Sequence, residues 1–173
     1  FAFDKGKWFN HTYLQNIPDT ELAELFKPVL KAHGIDPAAF SDCYIAAAAG
    51  MVKSRINFVS DLWDNARFFF AAPTEYDPKA VKKRWSAEMP AIMTALAELL
   101  ASEPSFVSAE LEPRVLAWIE QNGYHLGNVM NAFRLAVVGE CKGPHMFDIT
   151  ELIGKDETIA RIKAAVERIQ PAE

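Results

Sequence analysis

The sequence predicts an all-α protein, on three observations. Apolar residues recur at intervals of three and four along most of the chain. Sustained alternation of apolar and polar residues, the mark of a half-buried strand, is absent. Proline and glycine fall between the periodic runs, where helices start and stop.

Taken in order, residues 1–8 mix aromatics with Asp4, Lys5 and Lys7, and Trp8, Phe9, Tyr13 and Leu14 are expected to pack together or on a preceding domain. Pro18-Asp19-Thr20 before Glu21 reads as a helix start. Leu22, Leu25, Phe26, Val29 and Leu30 give that helix its apolar face, Pro28 perturbs it, and His33-Gly34 stops it. Asp36-Pro37 opens a short turn, and residues 44–52 form an alanine-rich helix whose small side chains allow close contact. Lys53 and Arg55 stand at its end, where positive charge complements the helix dipole or meets a phosphate or base. Arg67 precedes three phenylalanines, Phe68–Phe70, which read as core because an exposed run would be a large apolar patch.

Residues 73–78 read as a connector and as the internal boundary. Lys79, Lys82, Lys83 and Arg84 form the one dense basic run, either a solvated helix face or an RNA backbone contact. The next helix is expected over 85–100, with Pro90 tolerated in its first turn, and another over 106–121, ended by Asn122-Gly123. In the last third, Leu126, Val129, Met130, Phe133 and Val137 share a helix face with Arg134 at its edge. Gly139 ends that helix, Lys142-Gly143-Pro144-His145 turns the chain, and helix is expected to resume at Asp148 or Thr150 and turn again at Gly154. Ile159, Ile162, Val166 and Ile169 give the final helix a buried face, with Lys155, Arg161, Lys163 and Arg168 on its wet sides.

Bulk properties bound the function. The 173 residues suit one large domain or two small ones, and an apolar share of 50% is enough for a core. A formal net charge of −5 excludes a generally basic nucleic-acid coat but leaves room for a local patch. Cys43 and Cys141 have no CxxC spacing and read as buried thiols of a reducing compartment. No apolar run is long enough to span a bilayer, and the start lacks the pattern of a signal peptide. Beginning at Phe1, the chain reads as part of something longer.

Motifs of chemistry are missing. There is no phosphate-binding loop, no dinucleotide fingerprint and no nucleophile elbow. His11, His33, His125 and His145 are scattered and have no zinc-like spacing to cysteine or carboxylate. His11 reads as a local polar contact. From the residues alone, the chain is an all-α binding module.

Three islands resemble bacterial glutamyl-tRNA synthetases. FDKGKWFNHTYL is similar to the segment that follows their catalytic part, WDNARFFF to an internal segment of theirs, and GYHLGNVMNAFRLAVVGECKGPHMFDITELIGKDETIARI to their C-terminal helix, Gly-Pro turn and terminal stretch. The islands keep the family's order and span nearly the whole chain. The resemblance implies a multihelical anticodon-binding domain of class I aminoacyl-tRNA synthetases in two helical subdomains. Residues 1–72 would contact the stem and begin the anticodon-binding part, and residues 73–173 would complete it.

The family's nucleotide-handling HIGH-type and KMSKS-type motifs do not occur here. The chain would therefore grip the anticodon arm of tRNA(Glu) without catalysing anything itself. ATP and Mg2+ would serve a catalytic domain lying N-terminal to it, in a monomeric cytoplasmic ligase. By resemblance, Arg134 approaches an anticodon base, and Lys142, Gly143, Pro144, Met146 and Phe147 line its site. A second base would be read by Lys53 or Arg55; a lysine there replaces a fork of donors by one ammonium. Gly143 stands where some relatives have threonine, which leaves recognition to the backbone. Two other readings remain: the same region of a non-discriminating or glutaminyl-type synthetase, and a helical protein-interaction module.

Overall fold

The computed structural model describes residues 11–171, and none of them lies in a β-strand. The fold is all-α. Expectations for Trp8, Phe9 and the charged residues before them lie outside the described residues. The chain divides into two compact units, Phe1–Ala71 and Ala72–Glu173.

In the first unit, helical residues 11–16 precede α1 (Asp19–Ala32), α2 (Asp42–Val52) and α3 (Asp61–Ala66). Acidic residues in the first turn of α1 and Lys31 in its last complement the helix dipole. Its buried stripe is Leu22, Ala23, Phe26 and Leu30. Leu25, expected inside, is exposed, because the partner helix covers the 22–26–30 line and leaves the neighbouring position to solvent. Pro28 lies within α1 on its exposed side and does not end it. The Ser41 hydroxyl caps α2 by accepting from the Tyr44 amide at 3.1 Å. Buried Ala46, Ala48 and Ala49 then let α2 pack closely on α1. Phe68, Phe69 and Phe70 are core, as their run predicts. The Phe70 ring meets Phe26, Phe40 and Tyr44 edge-on, at centroid distances of 5.3, 5.0 and 5.7 Å. The Tyr44 hydroxyl donates to the Phe69 carbonyl.

The second unit holds α4 (Pro78–Arg84), α5 (Met89–Ser102), α6 (Ser108–Gln121), α7 (Leu126–Val138), α8 (Met146–Ile153) and α9 (Lys155–Arg168). The organising element is α7, which packs against α4, α5, α6 and α9. Val129, Ala132, Phe133, Leu135, Ala136, Val137 and Val138 are all buried. The expected stripe was narrower and placed Leu126 inside; Leu126 is 51% exposed, because the first turn of α7 projects beyond its neighbours.

Helix starts and one charged side chain differ from the sequence reading. The helix expected from residue 85 begins at Met89, since Trp85 leaves helical geometry (φ −105°, ψ 79°) and buries its indole completely. Pro90 does fall in the first turn of α5. The helix expected at Asp148 or Thr150 begins at Met146, where apolar Met146 and Phe147 gain burial by joining it. Arg161, expected on a wet face, is 4% exposed. Its Nε donates to Glu157 Oε1 at 2.8 Å, and its Nη1 donates to the Val137 carbonyl at 3.0 Å. That carbonyl belongs to the last turn of α7, where no amide of the helix itself is left to satisfy it. The arginine supplies the donor, and its charge suits the negative end of the dipole.

Candidate nucleic-acid interface

The C-terminal end of α7 and the turn after it form a fixed corner. Gly139 caps the helix in the left-handed region at φ 92°, its amide bonded to the Leu135 carbonyl at 2.8 Å. A Cβ there would meet Pro73 Cβ at 2.9 Å and the Glu75 carbonyl oxygen at 3.0 Å, so backbone conformation and space both require glycine. The Gly139 carbonyl accepts from the Asp77 amide at 2.9 Å, while the Asp77 side chain caps α4 by accepting from the Lys79 amide at 3.1 Å. The end of α7 is thus bonded to the start of α4.

Arg134 lies one turn back on α7 and is half-buried. Its Nη1 donates to the Pro144 carbonyl at 2.8 Å, which ties the helix to the turn across ten residues. Gly143, at φ 136°, supplies backbone geometry that a side chain disfavours. Lys142 is exposed; Gly143 and Pro144 are partly accessible. His145 closes the turn, with Nε2 2.8 Å from Glu112 Oε2 on α6.

Met146 and Phe147 differ from their assigned place. They are 2% and 1% exposed, and Phe147 packs edge-on against Phe133 at 6.2 Å. Their side chains anchor the turn in the core and offer no surface to a base. Apolar residues beside a Gly-Pro turn carry no sequence sign that separates an anchor from a platform.

A polar row on α7 escaped the sequence reading. Asn128 and Asn131 precede Arg134 at three-residue spacing, which keeps them near one side of the helix. Asn128 accepts from Arg84 Nη1 at 3.0 Å, and the Asn131 carbonyl lies 3.6 Å from Cys141 Sγ. Burial pushes the Cys141 thiol above its usual pKa; the guanidinium of Arg84 and, more weakly, that of Arg134 pull the other way. The spacing N-x-x-N-x-x-R was a readable signal, masked by the apolar residues between its members.

Lys53 and Arg55 belong to the first unit, in a short 3-10 turn after α2. The Lys53 ammonium donates to Asp19 Oδ1 at 3.1 Å and to the Ile17 carbonyl, and its side chain is only 17% exposed. The Lys53 carbonyl also accepts from Gln15 Nε2. Lys53 therefore locks the approach to α1, whereas Arg55 is exposed. His11 contacts the Ile56 carbonyl through Nδ1 at 2.7 Å, as a local polar contact should.

The chain matches the anticodon binding domain family over residues 21–166. It is 54% identical over 167 residues to a glutamate–tRNA ligase of Bacteroides fragilis, covering 96% of this chain and 32% of that protein. It is 45% identical over 166 residues to one of Flavobacterium psychrophilum, with the same coverages of 96% and 32%. The chain thus spans about a third of the length of the curated relatives it matches. Among solved structures it is similar to the glutamate tRNA ligase of Elizabethkingia meningosepticum, with a TM-score of 0.89 and 38% identity, covering 98% of this chain and 33% of that one. A glutamate-tRNA synthetase of Elizabethkingia anophelis gives a TM-score of 0.83 and 36% identity over 96% of this chain and 32% of that one. With the family match running from α1 to α9 and relatives aligned across nearly every residue, this chain belongs to the anticodon binding domain family.

Proposed function

We propose that the chain is the part of a glutamate–tRNA ligase that grips the anticodon arm of tRNA(Glu). The whole protein would join L-glutamate to that tRNA at the expense of ATP, through a catalytic domain N-terminal to this chain. The observation that carries the reading is the corner just described: Arg134 held on the Pro144 carbonyl beside a glycine-built turn, within a chain similar to glutamate–tRNA ligases over 96% of its length. Anticodon bases are unpaired and splay into pockets, where guanidinium groups stack on them or donate hydrogen bonds. An arginine already fixed by a helix and a carbonyl loses less entropy on meeting a base than one on a loose loop.

In this reading Arg134, Lys142, Gly143 and Pro144 face the RNA, and Met146 and Phe147 hold the turn from behind. Arg55 is the better candidate of its pair for a second base, because Lys53 is committed to Asp19 and Ile17. Residues 1–72 would carry the stem-side part and 73–173 the anticodon-reading part. ATP and Mg2+ would serve the catalytic domain; among the described residues no three His, Cys, Asp or Glu side chains converge as metal ligands. The ligase would work as a cytoplasmic monomer; no described helix is long and apolar enough to cross a membrane.

The test is a binding titration of the chain with tRNA(Glu) and with the same tRNA substituted in its anticodon. The substituted tRNA is expected to bind more weakly. Arg134→Ala should weaken the normal tRNA by about tenfold, the worth of a charge-assisted hydrogen bond, and narrow the gap between the two RNAs. Equal affinity of the parent chain for both would refute anticodon reading.

A further inference from the structure

A second arginine meets α7 from another helix, at the first turn of α7. Arg84 ends α4 and is half-buried. Its Nη1 is fixed on Asn128 Oδ1 at 3.0 Å, its one hydrogen bond among the described residues, and it has no ion pair there. A guanidinium carries five N–H donors in a planar fork, so most of them remain for solvent or a ligand. Two other arginines of this unit are used differently. Arg161 bonds Glu157 and a helix carbonyl, and Arg114 pairs with Glu103 at 3.1 Å.

Arg84 also has company. Lys79, Lys82 and Lys83 of the same helix are exposed and form no ion pair among the described residues. This is contrary to the composition, since the chain holds 23 acidic residues against 18 lysines and arginines. The helix dipole accounts for positive charge near the end of α4. It does not account for a guanidinium held in place by a neutral amide of another helix, with no carboxylate in ion-pair contact. Through Asn128 the basic end of α4 is bonded to the polar row of α7 that ends at Arg134.

We propose that Arg84, with Lys82 and Lys83, forms a phosphate-binding site for the RNA strand beside the base that Arg134 meets. The ligand class is the phosphodiester backbone. A planar fork suits two phosphate oxygens at once, and such a contact sets the register of the strand without reading its sequence. The inference rests on the tRNA-binding reading but is separable from it, because base reading depends on anticodon sequence and phosphate binding depends on salt.

The experiment titrates the 173-residue chain and its variants with tRNA(Glu) and the anticodon-substituted tRNA over a series of KCl concentrations. Arg84→Ala is expected to weaken both RNAs by the same factor, about tenfold, and to reduce the slope of log K against log [salt] by about 0.7–0.9, one phosphate contact. Arg84→Lys should restore the slope but not all of the affinity. Lys82→Ala/Lys83→Ala changes only exposed side chains and should also lower the slope, so it decides the matter alone if circular dichroism shows that Arg84→Ala does not fold. Parental slope and affinity in Arg84→Ala and in the double variant would overturn the phosphate site, as would loss confined to one RNA. A parent chain that does not distinguish the two RNAs, combined with a reduced slope in the variants, would instead refute anticodon reading and leave the phosphate site standing. No binding of either RNA by the parent would overturn both.

Discussion

Gly139→Ala should loosen the corner that carries Arg134, and the structure lets its cost be divided. The first part is conformational: a non-glycine residue at φ 92° costs about 1–2 kcal/mol. The second is steric. The new methyl would sit 2.9 Å from Pro73 Cβ and 3.0 Å from the Glu75 carbonyl oxygen, and neither a proline ring nor a backbone oxygen swings aside. Overpacking of that kind adds about 1–3 kcal/mol. Against these, alanine restricts the unfolded chain and returns about 0.4–1 kcal/mol. The net loss expected is about 1–5 kcal/mol, centred near 3. Gly123→Ala is the matched control, since Gly123 also has positive φ (+69°) but nothing within 4 Å of the added methyl. It shares the conformational and unfolded-state parts, so the difference between the variants isolates the steric part, about 1–3 kcal/mol. Urea titration followed by hydrogen exchange and mass spectrometry, read on peptides covering residues 126–138, reports this unit directly. Equal destabilisation by the two substitutions would refute the steric argument.

Two further outcomes are expected. Arg161→Met strands the Val137 carbonyl without its donor, and a loss of about 1–3 kcal/mol should appear in the same exchange experiment; a variant as stable as the parent would show that the carbonyl finds water. Cys43 is exposed, whereas burial raises the pKa of Cys141, so its thiolate fraction is depressed on the alkaline side of neutrality and grows only as the pH exceeds the ordinary thiol value. Iodoacetamide near pH 8 should therefore label Cys43 first, with Cys141 catching up as the pH rises, and peptide mapping that found Cys141 labelled as fast would contradict its burial.

The helices were legible because their signals are local. Periodicity, Pro18-Asp19-Thr20 before α1 and Pro90 in a first turn act within a few residues. Arg161 was misplaced because a Glu four residues before an Arg looks the same on a surface helix and on a buried one. Only the end of α7, 24 residues away, decides that its guanidinium is needed inside. Met146 and Phe147 failed for the same reason: the turn is visible in sequence, but the side of it that meets the core is set by α7. Lys53 and Arg55 could not be separated by spacing, since what distinguishes them is Asp19, which lies 34 residues earlier.

The burial of α7 also limits how this corner can change over generations. Seven positions of the helix are fixed by packing, and Gly139 by space and conformation. Asn128, Asn131 and Arg134 are the polar residues among the positions left unburied, and Arg134 is further tied to Pro144. Under the proposed tRNA-binding function, drift toward a different RNA preference has few polar positions of this helix to work with, Asn128, Asn131 and Arg134. The rest of any such change must come from the turn itself or from Arg55 in the first unit.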